Sequence, residues 1–114
     1  MVRVKNVYLP VADMAAAVRF YESLLGLAPQ VVDGERWAQF KVQGVTFALG
    51  GMGETPEGVD AGGVVTFEVE DLCGAVERLR SCGVTVSPVR DMGDHGRTCW
   101  FRDPFGNPVQ LYAR

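Results

Sequence analysis

The chain repeats its own pattern, and the repeat limits the folds open to it more than any other feature. Val7 to Met14 and Val65 to Leu72 alternate in the same way, with Val11-Ala12-Asp13-Met14 falling on Val69-Glu70-Asp71-Leu72. In the first copy Val7, Leu9 and Val11 point to one face of a strand, and Asn6, Tyr8 and Pro10 to the other. Asp13 offers an N-cap, Met14, Val18, Tyr21 and Leu25 form a helical stripe, and Gly26 is placed to stop the helix. Strands are predicted at Val31-Val32, Trp37 to Val42 and Val45 to Leu49, with corners at Asp33-Gly34 and Gln43-Gly44. In the second copy Asp71 repeats the cap, Leu72, Ala75, Val76 and Leu79 repeat the stripe, and Gly83 repeats the stop. A short strand is then predicted over Val84 to Val89 and a polar loop over Asp91 to Gly96. A closing hairpin joins Thr98 to Arg102 with Pro108 to Tyr112.

Each half therefore reads βαβββ, an α+β pattern, with module 1 over residues 1–52, a Gly-, Glu- and Pro-rich linker over 53–63 and module 2 over 64–114. Neither half can bury both faces of so small a sheet alone, so two must pack together, within one chain or between chains. At the last corner Asp103 can close an Asx turn, Pro104 presets φ, and Gly106 tolerates the positive φ such a corner needs.

At 114 residues and 47% apolar the chain has enough for one core. The net charge of -3 and eleven scattered basic residues argue against a nucleic-acid partner. Met1 to Lys5 leads straight into a strand pattern and no apolar run is of membrane-spanning length, so a cytoplasmic protein is expected. Cys73, Cys82 and Cys99 form no CxxC pair and leave an odd one out, which fits reduced thiols; Cys73 and Cys99 are read as small buried hydrophobes.

The segments VYLPVADMAAAVRFYESLLGL and FRDPFGNPVQLYAR resemble the opening and closing signatures of the vicinal oxygen chelate superfamily. That superfamily includes glyoxalase I, extradiol dioxygenases, fosfomycin-resistance enzymes and bleomycin-resistance binding proteins. The resemblance implies two βαβββ modules forming a curved, largely antiparallel eight-stranded sheet around a cleft, with the helices outside and the chain in a homodimer. It also places the superfamily's four metal-ligand positions at Asn6, Ala48, Val64 and Gln110. Two of these have no donor atom and two offer neutral amides, whereas a transition-metal site wants imidazole, thiolate or carboxylate. No metal or other cofactor is expected.

Strand parity supplies the inventory of the cleft. If Val7, Leu9, Phe47, Leu49, Val65, Phe67, Val109 and Leu111 pack under the helices, the other faces present Asn6, Tyr8, Thr46, Ala48, Val64, Thr66, Glu68, Gln110 and Tyr112. Matching Phe40 to Phe101 as core residues turns Trp37, Gln39, Trp100 and Arg102 the same way. Such a surface suits a small aromatic or amphipathic ligand. The reading favoured is a metal-independent binding protein of the sequestering, resistance type. Its rival is a lyase, isomerase or dioxygenase-type enzyme acting on a small carbonyl or aromatic compound, with Glu68, His95 or Tyr8 moving a proton. For that role Glu68 would have to be desolvated, and His95 sits between Asp94 and Gly96 on a polar loop. The acidic net charge favours a neutral or cationic ligand.

Overall fold

The computed structural model describes residues 4–54 and 63–114. The chain divides into two compact units, Met1–Gly62 and Gly63–Arg114. Of the expected linker, residues 55–62 lie outside the described residues, as does the start of the Met1 to Lys5 lead-in. The first unit runs β1 (Val7–Pro10), α1 (Met14–Leu25), β2 (Val31–Asp33), β3 (Trp37–Val42) and β4 (Val45–Gly50). The second runs β5 (Val65–Glu68), α2 (Leu72–Ser81), β6 (Arg90–Asp91), a 3₁₀ turn (Gly93–His95), β7 (Arg97–Arg102) and β8 (Pro108–Ala113).

Both units build the same four-stranded mixed sheet. The strand orders are β1-β4-β3-β2 and β5-β8-β7-β6. In each, the first strand pairs in parallel with the last, and the other two pairings are antiparallel. The chain leaves each first strand through one further bond of the same kind, Val11 N–H to the Gly50 carbonyl and Val69 N–H to the Tyr112 carbonyl. The two βαβββ modules of the sequence pattern are thus present, with one topology used twice.

The helix starts are built by the two predicted aspartates. Asp13 Oδ1 accepts from Ala16 N at 3.1 Å and Asp71 Oδ1 from Gly74 N at 3.0 Å, each satisfying an N–H that the first turn leaves unpaired. Gly26 adopts φ 67° and its N–H returns to the Glu22 carbonyl, which ends α1. The buried stripe of α1 is Met14, Ala17 and Tyr21; Val18 and Leu25 flank it half-buried. The small Ala17 at its centre lets α1 lie close on β3 and β4. Tyr21 meets Phe47 with ring centroids 5.1 Å apart, and Phe47 meets Phe40 at 6.3 Å. Burying each such ring is worth about 2–3 kcal/mol. In the second unit Leu72, Ala75, Val76 and Leu79 of α2 are buried, and α2 packs on β8.

Two expectations are corrected. No strand forms over Val84 to Val89: Val86 makes an isolated bridge to Phe101, and Pro88 has no N–H to extend it. Regular pairing with β7 begins only at Arg90 and Asp91. Cys73 is exposed, because one residue beyond Leu72 is about 100° around the helix from the buried stripe. Cys99 is buried, and that burial pushes its thiol pKa up, partly offset by the Arg80 guanidinium. No helix among the described residues is long and apolar enough to cross a membrane.

Candidate functional site

Register decides which side chains share the face of each sheet turned away from its helix. In the first sheet Val7, Phe47 and Phe40 lie in one row, and Phe47 touches Tyr21 of α1, so that row faces the helix. Alternation places the neighbouring rows on the opposite face. One row pairs Tyr8 with Ala48 and Ala48 with Gln39. The next pairs Pro10 with Gly50 and Gly50 with Trp37. At the other end Thr46 pairs with Lys41, and Asn6, two residues before Tyr8, belongs to the same end. Asn6, Tyr8, Trp37, Gln39, Thr46 and Ala48 are therefore brought to one face.

Within this group the contacts are specific. The Tyr8 and Trp37 rings are 5.2 Å apart at 55°. Tyr8 lies over Gly50, where an added Cβ would come 2.9 Å from its ring, so the missing side chain makes room for the aromatic pair. The Tyr8 hydroxyl donates to the Glu54 carbonyl at 3.2 Å. Trp37 Nε1 donates to Gln39 Oε1 at 2.9 Å, and Gln39 Nε2 donates to Gln30 Oε1 at 3.0 Å. Ala48 is fully buried in its row between Tyr8 and Gln39. Next to the aromatic pair, which it meets through Gln39, a hollow of about 510 Å³ is lined by Lys5, Asn6, Gln30, Gln39, Lys41 and Thr46 together with Val4, Gly44 and Val45.

In the second sheet the corresponding rows are Thr66, Gln110 and Trp100, then Glu68, Tyr112, Thr98 and Arg90. Trp100 is 46% exposed and Arg102 holds its guanidinium 5.4 Å from the ring centre. Val64 precedes β5 and is 59% exposed. The Tyr112 ring lies against Gly96, whose φ of 92° and buried position leave no space for a side chain.

Of the three proton-transfer candidates, Tyr8 lies in the first unit and Glu68 and His95 in the second. The Glu68 side chain is 60% exposed with Arg114 Nε 3.7 Å from it, so the desolvation required of a general base is missing. His95 is exposed on the 3₁₀ turn, and nearby Asp91 is engaged in accepting the Gly93 N–H at 2.8 Å. Tyr8 already donates its hydroxyl to a main-chain carbonyl. Sequence reading passed over Lys41 and Gln30. Lys41 was within reach of the parity argument, two residues from Gln39 on β3. Gln30 was not, because its place beside Gln39 depends on the β2–β3 register and a main-chain bond to Gln39.

The model of the Glyoxalase/Bleomycin resistance protein/Dioxygenase superfamily matches residues 3–111. The chain belongs to that superfamily. Among solved structures it resembles the fosfomycin resistance protein FosX from Listeria monocytogenes, at 17% identity and a TM-score of 0.78 over 100% of this chain and 94% of that one. Lactoylglutathione lyase from Agrobacterium tumefaciens matches at 18% identity and 0.78, over 99% and 94%. A glyoxalase/bleomycin resistance protein from Catenulispora acidiphila matches at 25% identity and 0.70, over 95% of each chain. No curated protein matches the chain. The first two likenesses carry the fold alone.

One FosX structure is described as complexed with Mn(II) and sulfate. Ala48 and Val64 bring no donor to the positions the resemblance assigns, and Asn6 and Gln110 bring only amides. Among the described residues no three His, Cys, Asp or Glu side chains are grouped to hold an ion. Two neutral amides do not offset the dehydration of a divalent transition metal. The donor set does not fit the group.

Proposed function

We propose that the protein is a metal-independent small-molecule binder of its superfamily, of the sequestering, resistance type, working as a homodimer. The observation that carries this reading is the make-up of the first sheet's helix-free face. The assigned metal positions there, Asn6 and Ala48, bring one neutral amide and no other donor, while the same face keeps an aromatic pair with polar tips, Tyr8 and Trp37. In the second unit Val64 and Gln110 likewise bring one neutral amide and no other donor. Aromatic faces bind flat apolar molecules well, and the polar groups around them fix orientation. Against the enzymatic alternative stand the solvent exposure of Glu68 and His95 and the hydroxyl bond already made by Tyr8.

The test is tryptophan fluorescence during titration with a panel of flat aromatic compounds, with and without a chelator. A saturable quench is expected, unchanged by the chelator; isothermal titration, which needs no tryptophan reporter, should show binding weakened about tenfold or more by Trp37→Leu, since losing one ring contact of about 1.4 kcal/mol has that effect. A quench that appears only with added divalent metal would overturn the reading.

A further inference from the structure

We infer that the ligand of the first unit is an aromatic anion, with its rings on the Tyr8 and Trp37 pair and its acidic group, a carboxylate or sulfonate, against Lys41 and Lys5. The inference rests on the binding function just proposed and adds the chemical class of the ligand.

Three independent observations converge on the hollow beside the aromatic pair. The first is charge: its lining contains Lys5 and Lys41 and no carboxylate, and among the described residues neither lysine is in an ion pair. Lys41 Nζ is held by Thr46 Oγ1 at 3.0 Å, which fixes the ammonium at one end of the face and leaves its other N–H bonds for a ligand. The second is the direction of the amides. Gln39 Oε1 is taken by the Trp37 indole and Gln30 Oε1 by Gln39 Nε2, so the hydrogens still available on these two side chains are amide donors. A wall of donors and ammonium groups is complementary to an acceptor-rich, negative group and repels a cation.

The third observation is spacing. The Thr46–Lys41 row and the Gly50–Trp37 row are four residues apart on β4, about 13 Å at ordinary strand rise. A two-ring aromatic with one acidic substituent spans that interval once the reach of the lysine side chain is included. The whole-chain charge of -3 pointed toward a neutral or cationic ligand; the hollow carries the opposite local sign, because charge averaged over a surface does not describe one concavity.

Two fluorescent probes with nearly the same rings separate the terms: 8-anilinonaphthalene-1-sulfonate, an anion, and N-phenyl-1-naphthylamine, which is neutral. Each is titrated into the wild type, Lys41→Met, Lys41→Arg and Trp37→Leu, with folding of every variant checked by circular dichroism. The sulfonate is expected to bind about tenfold tighter than the neutral probe at low salt, with the gap closing near 0.5 M salt as the charges are screened. Lys41→Met should remove most of the gap, Lys41→Arg should keep it, and Trp37→Leu should weaken both probes alike. Equal affinities for the two probes, or a gap that survives Lys41→Met, would overturn the anion assignment while Trp37-dependent binding still stood. Failure of both probes to bind, or binding indifferent to Trp37→Leu, would instead bring down the binding function on which the assignment rests.

Discussion

Replacing Asp103 with alanine is expected to cost about 3 kcal/mol of stability, lowering the thermal midpoint by roughly 10–15 °C for a domain of this size. Asp103 and Asn107 are 4% and 2% exposed, the most enclosed polar pair in the last corner. Asp103 Oδ1 accepts from Phe105 N at 2.9 Å and Asn107 N at 2.8 Å, while Oδ2 accepts from Asn107 Nδ2 at 2.9 Å. The main chain closes the same loop, Asp103 N–H to the Asn107 carbonyl at 2.8 Å and Gly106 N–H to the Asp103 carbonyl at 3.0 Å. Alanine would strip the partner from three donors at once, and an enclosed donor without a partner costs about 1–3 kcal/mol, more than the bond it once made. Asp103→Asn keeps an oxygen for the two main-chain donors and should cost less than half as much. Asp13→Ala, which loses a single exposed cap bond, should cost about 1 kcal/mol. Thermal unfolding followed by circular dichroism ranks the three; equal midpoints for Asp103→Ala and Asp13→Ala would show that the corner is not held this way.

Gly51→Ala is expected to be comparably damaging, about 3 kcal/mol, for a different reason. Gly51 follows β4 and its N–H donates to the Arg36 carbonyl at 2.8 Å, tying the end of that strand to the turn between β2 and β3. A Cβ there would overlap the Glu35 carbonyl oxygen and sit 3.3 Å from Arg36 Cα, main-chain atoms that cannot rotate aside. The turn has to shift, and Trp37 begins on its far side, so the aromatic pair should move with it. Gly50→Ala makes the informative contrast. Its Cβ meets the Tyr8 ring rather than backbone. It should therefore cost about 1 kcal/mol, as a ring can move aside, yet still change the tryptophan emission. Urea unfolding gives the first quantity and the emission spectrum of the folded protein the second; a Gly51→Ala variant as stable as wild type would contradict the packing described here.

The parts of this fold legible in the sequence were those set by local rules. Asp13 and Asp71 cap because a short carboxyl side chain reaches the third following N–H, and Gly26 stops α1 because it accepts a positive φ. Strand alternation assigned Tyr8, Trp37, Gln39 and Thr46 to one face, since a period of two leaves no other choice once Phe40 and Phe47 are core. What escaped depended on non-local geometry. Val84 to Val89 is rich in β-branched residues but, among the described residues, meets β7 only through the Val86 bridge to Phe101 and the Ser87 bonds to Trp100, too few to make a strand. The enclosure of Asn107 was not legible in the sequence, because it depends on Asp103 folding back onto it. Lys41 went unremarked in the sequence, and the hollow lined also by Thr46 and Asn6 gives it a setting.

The proposed function requires that the aromatic and polar face of the first sheet take its ligand without a divalent metal. Isothermal titration of the purified, chelator-treated protein with Mn(II) tests it most directly. Only heats of dilution are expected up to millimolar ion, since two neutral amides do not offset the ion's dehydration. One-to-one binding at micromolar affinity or tighter, lost in Gln110→Ala, would contradict it.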